Sequence, residues 1–180
     1  RRSSDLGSLH AVICRSSRGF FLRDEDSLNG TWLNGKRIDG MQPMDLGEVA
    51  LIRAAKEQLL FASGRAAAAI VRSGRIAVLY SEETDEKQVV YQDRFDIGRS
   101  NPWAGGAMSD GRVSRVHGRI EARDGGYVFT CEKSTNGTFF NGELLDPGQS
   151  VTLKNDDEIR LGRVYHIRFQ ITELSTGGDI

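Results

Sequence analysis

The 180 residues carry 24 Lys plus Arg against 25 Asp plus Glu, a formal net charge of −1. That balance excludes the global basic field that draws nucleic acid or an anionic membrane to a protein, so any anion site must be local. Two cysteines, Cys14 and Cys131, are too few for a disulfide framework and are expected to be free thiols. No apolar run approaches the roughly 18 to 20 residues that span a bilayer, and no signal-peptide pattern opens the chain. Together with the cysteine usage this points to a cytoplasmic protein. The chain starts at Arg1 instead of a methionine, so it is expected to be a piece of something longer.

In chain order, the first feature is His10, preceded by only nine residues. Next comes the run SLNGTWLNG at 27–35, which returns as STNGTFFNG at 134–142, an offset of 107 residues. At that offset His10 answers His117, Ile13 answers Ile120, Gly19 answers Gly126 and Asp39 answers Asp146, so the chain is read as two copies of one unit. Past Asp146 the second copy is expected to gain about three residues, which brings 157–161 opposite 47–51. Residues 64–74, with four consecutive alanines, read as a linker. Six residues of pattern over 66–71 do not separate a short helix from an edge strand. Strands are expected at 75–80 and 89–97. Alternation around His117 predicts another over 113–122, and a Gly-Gly hairpin turn leads to one over 127–131. Asn136-Gly137 and Asn141-Gly142 are turn pairs around a strand at 138–140. Further strands follow at 157–161 and 165–171, and residues 173–180 are a tail. The expected fold is all-β: two antiparallel β-sandwiches in tandem, the first (1–63) missing its opening strands and the second spanning 75–172.

Three segments of the second copy now form an ordered set: FDIGR ending at Arg99, VSRVH from Val113 to His117, and STNGT with the following Asn141-Gly142. This set resembles the forkhead-associated domain family, whose signature runs Gly-Arg, Ser-x-x-His, Asn-Gly, each at a turn between strands. The resemblance covers nearly all of the second copy. It implies an eleven-stranded sandwich whose loops bind a phosphothreonine peptide. A phosphothreonine carries about −1.5 to −2 charges and three acceptor oxygens, so charge-assisted donors on a rigid scaffold suit it. By the resemblance, Arg99 and Arg115 supply cations, Ser114 and Thr135 supply hydroxyls, and Asn136 holds the peptide backbone. Gly98, His117 and Gly137 are expected to be structural. Arg112, two residues before Ser114, is a candidate for selecting an acidic residue downstream of the phosphothreonine.

The first copy departs from this pattern. Gly7 stands for Ser114, Ser8 for Arg115 and Leu28 for Thr135, while Asn29 survives. Arg1 or Arg2 serves as the missing arginine only if the intervening loop is about eight residues shorter than its counterpart. This copy is therefore read as degenerate for phosphate. The function implied is a phosphothreonine-peptide-binding adaptor in signalling, acting through the second domain on a threonine-phosphorylated protein. The alternative is a phosphorylation-independent scaffold or oligomerisation module, for example in a secretion assembly. With His10, His117 and His166 the only histidines, no Ser-His-Asp set, metal-ligand spacing or P-loop is present, so no catalytic residue, metal or cofactor is expected.

Overall fold

The computed structural model describes residues 10–38, 40, 42–101, 103 and 111–174. The chain divides into two compact units, Arg1–Gly64 and Arg65–Ile180.

In the first unit the described strands are β1 (Ala11–Ser16), β2 (Gly19–Asp24), β3 (Thr31–Leu33), β4 (Lys36–Ile38), β5 (Met44–Asp45), β6 (Val49–Ala54) and β7 (Glu57–Ala62). They make a sheet ordered β1-β2-β5 and a second ordered β4-β3-β6-β7. Leu22, Ile38, Leu46, Ala50 and Ile52 form a small core.

Helix α1 (Gly64–Ser73) occupies the expected linker. Its alanines favour a helix, Ala66 and Ile70 share its buried face, and Gly74 ends it at φ +67 by donating to the Ile70 carbonyl at 2.9 Å. Among the described residues no helix is long and apolar enough to cross a membrane. The second unit then runs through β8 (Arg75–Ser81), β9 (Lys87–Val90), β10 (Arg94–Ile97), β11 (Gly118–Arg123), β12 (Gly126–Cys131), β13 (Thr138–Phe140), β14 (Glu143–Leu144), β15 (Ser150–Leu153), β16 (Glu158–Leu161) and β17 (Tyr165–Glu173). These form an antiparallel sheet β10-β11-β12-β15 and another ordered β14-β13-β16-β17-β8-β9. Inward residues at alternate positions, among them Ile97, Ile120, Phe129, Ile159, Ile167 and Phe169, are fully buried in one core.

Cross-strand registers show how closely the two units match. Phe21 pairs with Asp45 as Val128 pairs with Thr152, and Trp32 pairs with Arg53 as Phe139 pairs with Arg160, every residue displaced by 107. Even the cross-strand cation–π contact recurs: Arg53 lies 3.4 Å from the Trp32 centroid and Arg160 lies 4.0 Å from that of Phe139. The offset of 107 therefore holds through Leu161, and no three-residue gain separates the copies. The second unit instead gains one residue in its last hairpin, where Gly162, Arg163 and Val164 answer Ala55 and Lys56. A shift of three would have turned every side chain of the strand to the opposite face.

Two strand expectations change. Residues 89–97 do not form one strand: β9 and β10 lie in different sheets, and the chain crosses between them at 91–93. Residues 113–117 are a loop, because their backbone groups pair with the turn after β10 and not with a ladder. Counterparts of β8, β9 and β10 are lacking among the described residues of the first unit, so β1 and β7 are its sheet edges where β11 and β17 are covered by β10 and β8.

Candidate functional site

Three loops of the second unit meet at one end of the sandwich: 98–101 after β10, 111–117 before β11, and 132–137 between β12 and β13. Gly98 starts the first. At φ +152, a Cβ there would stand 2.5 Å from the Arg115 carbonyl oxygen and 2.8 Å from Val116 Cα. Only glycine lets the two backbones approach this closely. The contact is then zipped by hydrogen bonds, with Arg99 N–H donating to the Ser114 carbonyl at 2.9 Å and Ser100 N–H to the Arg115 carbonyl at 3.0 Å. Ser100 Oγ adds a third, to the Arg115 carbonyl at 2.6 Å. His117 N–H closes the loop on the Ile97 carbonyl at 2.8 Å, and its own carbonyl accepts from Glu132 N–H at 2.8 Å. The histidine backbone thus ties all three loops together.

The His117 side chain is fully buried, and its Nδ1 lies 3.2 Å from Thr138 Oγ1. Burial pushes its pKa down from 6.5 to about 4. This has a measurable consequence. A base whose folded pKa lies below its unfolded value stabilises the fold fully above pH 6.5, and that contribution is lost as the pH falls toward 4. The loss is about 3 kcal/mol. Since Trp32 and Trp103 are the only tryptophans, Trp103 fluorescence in a Trp32→Phe background isolates the second unit. Urea midpoints measured from pH 7 to pH 4 are expected to fall over this window, and a flat profile would refute a buried neutral His117.

The three loops enclose a cleft of about 330 Å³ lined by Arg99, Arg112, Ser114, Arg115, Lys133 and Thr135 together with Gly111, Val113 and Val116. Four cations and two hydroxyls face it, and among the described residues no carboxylate lines it. Arg99, Arg115 and Lys133 form no salt bridge among the described residues. A chain of net charge −1 thus concentrates positive charge at one place, which suits a compact anion with several acceptor oxygens. The structure brings Arg99, Ser114, Arg115, Thr135 and Arg112 together here. Asn136 stands at the rim, where its Nδ2 donates to the Arg112 carbonyl at 2.7 Å and joins two of the loops. Gly137, at φ +75, leaves room for Leu144 Cδ1, which would sit 2.8 Å from a Cβ.

Three contributors are missing from the sequence reading. Lys133 adds a cation, and Ser100 holds the carbonyl of Arg115. Gly162, at φ +62, leaves space for Asn136 Cβ, which would lie 3.2 Å from a Cβ there. For Lys133 a signal existed, because Asp26 occupies its place in the first copy.

That copy is wired differently. Asp24 replaces Cys131, is buried, and accepts from Ser27 N–H at 3.0 Å, from Ser27 Oγ at 2.6 Å and from Thr31 Oγ1. Burial alone would raise its pKa, but the hydrogen bonds from Ser27 and Thr31 outweigh it and hold the carboxyl below its ordinary value. With Thr31 taken, His10 turns to the Gly30 carbonyl, 2.9 Å from its Nε2. Leu28, at the place of Thr135, is fully exposed. Gly7 and Ser8, like Arg1 and Arg2, lie outside the described residues.

Elsewhere, Glu82, Glu158 and His166 bring ligand atoms within 4.8 Å of one another. Arg168 already bridges the two carboxylates, at 2.5 Å from Glu82 and 3.4 Å from Glu158, so the group reads as an ion-pair network.

Comparison with known proteins gives the family. A curated FHA domain-containing protein of Arabidopsis thaliana is 43% identical over 56 residues, which is 31% of this chain and 14% of that protein. This chain therefore spans only a small part of that relative. The solution structure of the FHA domain of an Arabidopsis thaliana hypothetical protein is 27% identical, covers 59% of this chain and 92% of that one, and superposes with a TM-score of 0.47. EmbR of Mycobacterium tuberculosis, solved in complex with a low-affinity phosphopeptide, is 27% identical over 57% of this chain and 26% of its own, with a TM-score of 0.47. The FHA domain family model matches residues 3–54 and 95–162, well over half of the sequence. The Gly-Arg, Ser-x-x-His and Asn-Gly turns are assembled around one cleft in the second unit, and the chain belongs to the FHA domain family.

Proposed function

We propose that residues 75–172 form a phosphothreonine-peptide-binding adaptor domain. Its ligand is a threonine-phosphorylated protein in a kinase-controlled pathway. One observation carries the reading: Arg99, Ser114, Arg115 and Thr135, drawn from three separate loops, line a single cleft in which no carboxylate stands among the described residues. The guanidinium groups of Arg99 and Arg115 balance a phosphate of about −2, and the two hydroxyls supply neutral donors to its remaining lone pairs. Asn136, fixed at the rim through the Arg112 carbonyl, orients the peptide backbone. Catalysis has no place in this reading, because the described residues of the cleft offer donors and charge but no nucleophile paired with a base.

Calorimetry with a phosphothreonine peptide and its unphosphorylated twin tests the proposal. Tight binding of the first alone supports it. Equal binding of both would favour the scaffold reading, for which the first unit offers an observation of its own. Exposed Leu28 replaces a hydroxyl and Asp26 replaces a cation, so the loop end of that unit suits a protein contact without phosphate.

A further inference from the structure

We propose that Lys133 is a specificity-determining residue that pairs with a second anionic group of the ligand, a carboxylate or a further phosphate beside the phosphothreonine. The inference rests on the phosphothreonine reading of the same cleft and deepens it. Charge arithmetic leads to it. The bound phosphate carries about −1.5 to −2 charges, which Arg99 and Arg115 already match, while Ser114 and Thr135 add neutral donors. Lys133 lines the same cleft and forms no salt bridge among the described residues. A ligand that covers this ammonium without answering it leaves a desolvated, unpaired charge, which is costly. A second anion on the ligand removes that cost.

The repeat supplies an independent observation. At offset 107 the position of Lys133 is taken by Asp26, and that of Arg112 by Asp5. Charge at these places is inverted in the copy that also lacks Ser114, Arg115 and Thr135, while the scaffold residues His117, Asn136 and Gly137 are kept as His10, Asn29 and Gly30. Lys133 therefore varies together with the phosphate donors and not with the fold. Being an ammonium on a flexible stem, it acts as a point charge and accepts either a carboxylate or a phosphate.

The test uses the full 180-residue chain and fluorescence anisotropy at fixed ionic strength. The probes are phosphothreonine peptides with alanine at every flanking position, or with a single glutamate or phosphoserine moved along the flanks. At one position, the acidic peptide is expected to bind the unaltered protein about fivefold tighter than the alanine peptide, as befits one exposed ion pair. Lys133→Gln should bring that ratio to about one, whereas Arg112→Ala should preserve it. The proposal is overturned if no position shows the preference, if Lys133→Gln retains it, or if Lys133→Gln weakens the alanine and acidic peptides equally. Failure of the underlying reading looks different: the alanine peptide would then bind equally well without its phosphate.

Discussion

Arg99→Ala is expected to weaken phosphothreonine-peptide binding by roughly 30- to 1000-fold, that is by about 2 to 4 kcal/mol, without changing the fold. Arg99 follows the glycine that lets loop 98–101 dock on loop 111–117, and its N–H is fixed on the Ser114 carbonyl at 2.9 Å. Its guanidinium therefore enters the cleft from a braced backbone, whereas its exposed side chain contributes nothing to the core. The loss should exceed that of Thr135→Ala, which removes one neutral hydroxyl worth about 1 kcal/mol. Arg99→Lys should restore only part of the affinity, because an ammonium offers charge without the planar fork that meets two oxygens at once. Circular dichroism confirms the fold and anisotropy reads the binding. An Arg99→Ala protein with unaltered affinity would remove this residue from the site.

The second large effect is structural. Gly98→Ala is expected to destabilise the second unit by about 2 to 4 kcal/mol, which lowers its melting temperature by about 10 °C or more. It should also cost at least tenfold in phosphopeptide affinity. Two penalties combine. The backbone at φ +152 lies where side chains rarely go, and the new methyl would sit 2.5 Å from the Arg115 carbonyl oxygen. That oxygen cannot simply retreat, because it accepts from both Ser100 N–H and Ser100 Oγ. Relief must come from parting the two loops, which carries Arg99 away from Ser114 and Arg115. Thermal unfolding followed by Trp103 measures the first effect and anisotropy the second. A variant with unchanged stability and binding would show that the close approach at Gly98 is unimportant.

Much of this was legible because the informative signals are local. Each copy's second Asn-Gly pair folds on itself: Asn34 and Asn141 have φ 51 and 48, and their following glycines φ 86 and 88. In both, the asparagine Oδ1 accepts an N–H at 2.8 Å from the strand opposite, that of Leu51 or of Glu158. Such turns carry their reason in two adjacent residues. The loop at 113–117 could not be read this way. Its apolar alternation imitates a strand, yet its hydrogen bonds go to residues 97–100, a decision made by tertiary contacts. Register failed for a related reason. The likeness of 157–161 to 47–51 suggested an insertion, but buried Ile159 answers buried Ile52 at the original offset. For Lys133 the exchange for Asp26 in the first copy was the one signal, and a loop lysine is unremarkable until Arg99 and Arg115 are brought beside it in space.

The claim that phosphate binding belongs to one copy rests on the different wiring of two matched loops. In the second unit the 132–137 loop opens on a cleft of four cations. In the first, the Asp24 carboxylate has already taken Ser27 and Thr31, and Asp26 stands where Lys133 would be. Amide chemical-shift mapping of the full chain titrated with a phosphothreonine peptide decides the matter most directly. Saturable shifts are expected at residues 98–100, 112–116 and 133–137, with the amides of 24–31 unmoved and one peptide bound per chain. Shifts of equal size at 24–31, or a second equivalent of bound peptide, would contradict the assignment.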